Sequence, residues 1–260
     1  MESLDGCRAV VTGGTSGLGW AMAEALVNAG ATVAVTSRSR ASAEAAAGQL
    51  GGTAIGLESD VRDERSVAEA VDTVVDRFGG IDLLVNNAGF GMRTVNARFP
   101  AYAQPFWEVD PQAFQDVLDT KVTGVFLVAR AVVPYMLAAG SGRIVNISMS
   151  ESTMTRAGFV PYGPSGAAVE AMSRIMAAEL DGTGVTVNLL LPGGATATGM
   201  VPGDAPEEFK ARLLEPSVMG APIIWLASSA SADVHDERII ANEFDEWLTR
   251  RAGLDAGDVI

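Results

Sequence analysis

Short, nearly continuous apolar runs alternate along this chain with stretches whose apolar positions recur at helical spacing. The runs at 9–12, 32–36, 53–57, 83–86, 144–148 and 186–191 are rich in β-branched residues and stay apolar at successive positions. That pattern predicts strands covered on both faces, as in a parallel sheet. Residues 238–241 predict a seventh strand. Between these runs, 18–28, 41–50, 64–78, 111–138, 161–180 and 216–228 carry helical periodicity. Pro111 and Pro161 suit a first helical turn, where a missing N–H is harmless. The alternation predicts an α/β fold: a doubly wound parallel sheet with helices on both faces. No repeat, charge block or low-complexity linker divides the 260 residues, so one domain, 1–260, is expected. Two connections, at about 90–110 and 193–216, are long for a compact domain. They are read as substrate loops at the carboxyl ends of strands.

Composition narrows the function. Apolar residues make up 48% of the chain, enough for a covered sheet, and no unbroken apolar run reaches the ~18 residues of a membrane span. The N-terminal stretch lacks a basic region followed by an apolar one, so a cytoplasmic location is expected. A net charge of -14 argues against nucleic-acid backbones and anionic membranes as partners. A lone cysteine, Cys7, and a lone histidine, His235, argue against disulfides, metal clusters and histidine triads. No metal site is expected, and a small-molecule substrate is left as the expected partner.

The strand at 9–12 runs into Thr12-Gly13-Gly14-Thr15-Ser16-Gly17-Leu18-Gly19, and a helix opens there. Gly13 permits a tight turn, Gly17 a close approach of backbone to a pyrophosphate, and Gly19 close packing of helix on strand. The helix N-terminus offers free N–H groups to phosphates. Thr15 and Ser16 add hydroxyl donors. The same order of motifs resembles the short-chain dehydrogenase/reductase family, a Rossmann-type fold. Asp60-Val61 follows the third strand, Asn86-Asn87-Ala88-Gly89 the fourth, Tyr162 opens a helix after the fifth, and Pro192-Gly193 follows the sixth. The resemblance implies that Asp60 and Val61 hold an adenine and that Asn87 and Gly89 border its ribose. It places Pro192, Gly193 and Thr196 beside a nicotinamide, and it implies a homodimer or homotetramer packed through the long helices. Ser37 stands where the family's acidic ribose ligand aligns, and Arg38 follows. An arginine pairs with a 2′-phosphate, so NADP(H) is favoured over NAD(H). The alternative is a solvated Arg38 and use of either cofactor.

The family's catalytic apparatus is only partly matched. By the resemblance, Tyr162 is the proton-transfer residue. The lysine expected four residues later is Gly166, the serine expected thirteen residues earlier is Met149, and the asparagine of the long helix is Lys121. A cation about 5 Å from a tyrosinate contributes roughly 3 kcal/mol at an effective dielectric of ~20, about two pKa units, so its loss matters. Lys121 is either a surface helix lysine or a relocated ammonium whose stem crosses the void left by Gly166. Met149 cannot donate a hydrogen bond; a bend would bring Ser150 or Ser152 round in its place, and otherwise Met149 is an apolar wall. Met154, Phe159, Trp107 and Met200 are further candidate walls. The expected function is NADP(H)-dependent interconversion of a carbonyl and an alcohol on a fairly apolar substrate, with a rearranged proton relay. The alternatives are non-redox chemistry on the same fold (isomerase, dehydratase or cyclase) and an impaired dinucleotide binder.

Overall fold

The computed structural model describes residues 3–253; residues 1–2 and 254–260 of the expected domain lie outside the described residues. Strands β1 (Arg8–Thr12), β2 (Thr32–Ser37), β3 (Ile55–Glu58), β4 (Leu83–Asn86), β5 (Gly142–Ile147), β6 (Val185–Leu191) and β7 (Arg238–Ile240) form one sheet. Its order is β3-β2-β1-β4-β5-β6-β7, and every neighbouring pair is parallel. The helices are α1 (Gly17–Asn28), α2 (Arg40–Leu50), α3 (Glu64–Phe78), α4 (Pro111–Leu118), α5 (Gly124–Ala139), α6 (Glu151–Met154), α7 (Tyr162–Leu180), α8 (Glu207–Lys210), α9 (Gly220–Ala227) and α10 (Phe244–Arg251).

Successive strand residues point to opposite faces, so each apolar run feeds two cores. Val11, Val33, Val35 and Val85 pack with Met22 and Leu26 of α1, Ile223 and Leu226 of α9, and Phe244 of α10. Their neighbours Val10, Ala34 and Leu84 pack on the other face with Val67, Val71 and Val74 of α3, and with Val128, Val132 and Met136 of α5. Ala177 and Leu180 of α7 complete that second core. Covering both faces removes any need for a polar alternation, which is why the strands read as continuous apolar runs.

Several boundaries differ from the sequence expectation, each for a local reason. β3 starts at Ile55, because Gly51 and Gly52 turn with positive φ and the Thr53 hydroxyl bonds the Ala31 carbonyl instead. The helix expected at 111–138 forms as α4 and α5 joined by a π turn, Asp119–Thr123. Pro161 caps α7 rather than entering its first turn. The helix expected at 216–228 divides into a 3-10 turn, Pro216–Met219, and α9. The terminal helix α10 was not anticipated: only Phe244 is buried, so its apolar stripe is thin. Its signal is electrostatic, with Asp245 and Glu246 in the first turn and Arg250 and Arg251 in the last, matching the helix dipole. Read as one continuous piece, Pro111–Ala139 is long and apolar enough to cross a membrane by length and composition, although no unbroken apolar run predicts it. Here it packs on α3, β4 and β5 and buries a third of its most apolar window.

The sheet order places β1 beside β4, so the connections from these two strands leave in opposite directions and a crevice opens at their carboxyl ends. Side chains lock its floor. Thr12 Oγ1 accepts hydrogen bonds from the Asn87 and Ala88 backbone N–H groups, both at 3.0 Å, and donates to the Val85 carbonyl at 3.3 Å. Asn87 Nδ2 returns to donate to the Thr12 and Gly13 carbonyls, at 3.0 and 3.2 Å. Substituting Thr12→Val keeps the shape of the side chain and leaves two backbone N–H groups without their acceptor. We predict a loss of about 2 kcal/mol or more in urea unfolding, with Thr12→Ser retaining most of the stability.

Candidate active site

One cavity of about 560 Å³ occupies this crevice. Its inner wall is the glycine turn. Gly13 and Gly17 have φ of 63° and 56°, a region favouring glycine, so the turn folds back under the N-terminus of α1. Ser16, the residue before α1, makes no side-chain cap to the helix, which leaves the first N–H groups of α1 for a ligand. Gly13, Thr15, Ser16, Gly17 and Leu18 all line the cavity. Gly19 does not; it is buried, and a Cβ there would run into the Asn87 amide and the Gly13 carbonyl. Close approach fixes Gly19 as glycine.

The remaining expected cofactor residues distribute unevenly. Arg38, Val61, Asn87, Gly89, Pro192, Gly193 and Thr196 line the cavity. Asp60 does not. Its carboxylate is held by Arg62, which donates from Nε to Oδ1 at 2.9 Å and from Nη2 to Oδ2 at 2.7 Å. That pairing holds the Asp60 carboxyl below its usual range and leaves Ser59 and Val61 to face the cavity. Arg38 lies with its guanidinium 4.9 Å from the Phe90 ring centre and forms no ion pair among the described residues.

Tyr162, Lys121 and Met149 meet in the cavity, with Gly166 buried behind them. Lys121 sits in the π turn, where one extra residue per turn re-aims the side chains. Its Nζ lies 4.9 Å from the centre of the Tyr162 ring, a cation–π contact, and makes no hydrogen bond to the hydroxyl among the described residues. The expectation that the Lys121 stem crosses the Gly166 void is corrected. Met149 fills that space: a Cβ at Gly166 would stand 2.7 Å from Met149 Cε and 2.9 Å from Sδ. Lys121 instead runs along Gly89, where a Cβ would stand 3.1 Å from its Cγ. Burial pushes the Lys121 ammonium down to about 8 and pushes the Tyr162 hydroxyl up. The nearby ammonium opposes the second shift by favouring the tyrosinate.

The chain bends after β5 as the sequence allowed. Ser150 lines the cavity, bonded to Thr153 Oγ1 at 2.8 Å and to Ser152 Oγ at 3.1 Å, while Ser152 stays exposed. The bend is anchored from behind. Arg238 of β7 donates to the Met149 carbonyl and to Glu170 of α7, both at 2.9 Å, and Ser148 Oγ donates to the same Glu170 oxygen at 2.5 Å. Of the expected walls, Phe159 and Met200 line the cavity with Met149. Met154 does not, and Trp107 points outward with 73% of its surface exposed. Phe90, Phe99 and Phe209 lie in the two segments expected to be substrate loops but were not singled out as walls, and Arg156, between α6 and α7, was missed for want of a periodic signal.

A phosphate-cradling turn at the switch point of a parallel sheet, with a tyrosine and an ammonium across from it, defines a dinucleotide-binding α/β enzyme. The family model for short chain dehydrogenases matches residues 8–208, and the chain belongs to the short-chain dehydrogenase/reductase family. It is an oxidoreductase of that type. A D-threitol dehydrogenase of Mycolicibacterium smegmatis is 36% identical over 248 residues, 91% of this chain and 92% of that one. A 3-oxoacyl-(acyl-carrier-protein) reductase FabG of Vibrio harveyi is 32% identical over 248 residues, 92% of this chain and 97% of that one. The crystal structure of a 3-ketoacyl-(acyl-carrier-protein) reductase from Brucella melitensis, complexed with NADH, superposes with a TM-score of 0.81 at 28% identity. That match covers 92% of this chain and 97% of the other.

Two predictions follow from the packing and charge of this site. The Lys121 pKa in the folded chain lies below the unfolded value of ~10.4, so its charged form disfavours the fold. That penalty is fully present below about 8 and disappears as pH rises from there towards the unfolded value. Lys121→Met should therefore be more stable than the parent near neutral pH, by on the order of 1–3 kcal/mol, with the gap closing by pH ~10. A gap independent of pH would contradict it. In the second, Gly166→Lys alone should misfold or lose at least ~1 kcal/mol through overpacking against Met149, and Met149→Ser in the same chain should restore it. Thermal unfolding of the single and double variants decides.

Proposed function

We propose that the chain is an NADP(H)-dependent reductase and alcohol dehydrogenase whose proton relay runs through Tyr162 and Lys121. The cation–π contact between Lys121 Nζ and the Tyr162 ring is the observation that carries this reading. The site fits the cofactor: positive-φ glycines, uncapped N–H groups on α1, and an arginine with no acidic residue among the described residues of the cavity wall. A bound nicotinamide dinucleotide supplies or accepts the hydride. Arg38 and Ser37 bind the 2′-phosphate end, the glycine turn and Thr15 the pyrophosphate, and Thr196 with Pro192 and Gly193 the nicotinamide end.

For reduction, Tyr162 Oη donates its proton to the carbonyl oxygen. The Lys121 ammonium, over the ring face, stabilises the negative charge left on the phenol. Ser150 gives the hydroxyl that Met149 lacks and orients the carbonyl. Met149, Phe159 and the aromatic loops exclude water. For oxidation the roles of Tyr162 reverse, and the base form must be populated, so the alcohol reaction depends more on Lys121. On the outer faces of α5 and α7, Phe126, Leu137 and Ile175 are 47%, 44% and 59% exposed. We assign these faces to packing between copies in a homodimer or homotetramer, which sedimentation of the parent and an Ile175→Arg variant tests.

Tyr162→Phe should lower turnover by at least ~10²-fold on any accepted carbonyl, while leaving NADPH affinity nearly unchanged. A rate close to the parent would reject Tyr162 as the proton-transfer residue. Arg38→Ala should weaken NADPH binding by ~10–100-fold and NADH binding little, as expected for a charge-assisted phosphate contact. Equal affinities of the parent for the two dinucleotides, by fluorescence titration, would contradict the cofactor assignment.

A further inference from the structure

The charges that line the cavity are all of one sign. Arg38, Lys121 and Arg156 face it, and among the described residues no aspartate or glutamate does, in a chain whose net charge is -14. None of the three forms an ion pair among the described residues. Arg38 serves the dinucleotide and Lys121 serves Tyr162, in the function proposed above. Arg156 is left over. It stands in the segment between α6 and α7, six residues before Tyr162, with its guanidinium 4.8 Å from the centre of the Phe159 ring. Phe159 is buried and meets Phe99 edge-on at 5.9 Å, and Phe99 meets Phe209 edge-on at 6.2 Å. All three rings line the cavity, each from a different segment. An apolar aromatic wall thus carries an exposed cation, over the face of one of its rings and with no side-chain hydrogen bond among the described residues.

We infer that Arg156 is a recognition residue for an anionic head group on the substrate, and that the substrate is an oxo or hydroxy acid with an apolar body. The body lies on Phe99, Phe159 and Phe209. The carboxylate, or a phosphate monoester in its place, takes the Arg156 guanidinium in a two-pronged hydrogen bond. The reacting carbon is then the one facing Tyr162. An uncharged carbonyl compound of the same length leaves Arg156 solvated and loses this contact. The inference deepens the reductase reading and rests on it only for the reacting end; binding of the anionic head is independent of turnover.

The test therefore has a binding arm and a kinetic arm. Octanoate, octyl phosphate and octanamide are titrated by calorimetry into the NADPH-loaded protein, as parent, Arg156→Gln and Arg156→Lys. NADPH oxidation is then followed with 7-oxooctanoate and its methyl ester. Expected is an affinity for one or both anions at least ~10-fold above that for octanamide, shrinking as salt rises. Octanoate and octyl phosphate distinguish carboxylate from phosphate. Arg156→Gln should abolish the preference, Arg156→Lys should keep part of it, and octanamide should bind all three proteins alike. In the kinetic arm, Arg156→Gln should raise KM for the oxo acid about tenfold with kcat little changed, and leave the ester unaffected. Equal binding of anions and amide by the parent, or a preference that survives Arg156→Gln, overturns the inference. An Arg156-dependent preference without NADPH oxidation supports the anion site and counts against the reductase reading. Equal turnover of acid and ester in parent and Arg156→Gln does the reverse.

Discussion

Thr12 Oγ1 is the atom on which the crevice depends. It joins the ends of β1 and β4, the two strands between which the chain reverses its order across the sheet. Because Asn87 then reaches back to Thr12 and Gly13, the glycine turn is held by side chains from the opposite bank. The same amide leaves no room for a Cβ at Gly19, so the loop, the first helix and the fourth strand are fitted to one another. Without that tie the glycines would be only flexible residues. With it they form a rigid cradle, and the rest of the site is measured from there.

The chemistry on the far bank rests on an exchange of space. Gly166 gives up a side chain, Met149 occupies the volume, and the ammonium approaches Tyr162 from the π turn on the neighbouring helix. The Glu170–Arg238 pair holds the Met149 carbonyl from behind, so this packing is anchored to the last strand. Lys121 carries a desolvation penalty that a surface lysine would not. Keeping a costly charge beside a half-buried phenol is the pattern of a functional group rather than a stabilising one. The chain has only one other lysine, Lys210, on a short surface helix paired with Glu207.

Much of this was legible in the sequence, and what was missed has a common cause. Both-face burial makes β1, β4 and β6 read as plain apolar runs, and the Thr-Gly turn announces the cradle between strand and helix. The family resemblance placed Tyr162 and Lys121 at one site, and helical spacing put Gly166 on the Tyr162 face. The partner of the Gly166 void could not, because Met149 and Lys121 are equally able to fill it and only packing chooses. The π turn was invisible because the apolar period of α4 and α5 continues through it. The substrate loops carrying Phe90, Phe99 and Phe209 were legible by their length, but which of their side chains face the cavity was not, and Arg156 escaped altogether, because on irregular segments no period ties a residue to a direction. Asp60 shows the reverse: the motif was present, yet a neighbouring arginine two residues on takes its carboxylate.

The central claim is that Lys121 is a desolvated ammonium over the Tyr162 ring, poised to act on it. With two lysines in the chain, carbon-13 labelling of lysine gives two side-chain signals, and substituting Lys210→Arg assigns them. The pH titration of these signals reads Lys121 directly. The account predicts a Lys121 midpoint near 8 in the protein without substrate. A Lys121 midpoint at the ordinary lysine value of ~10.4 would contradict it.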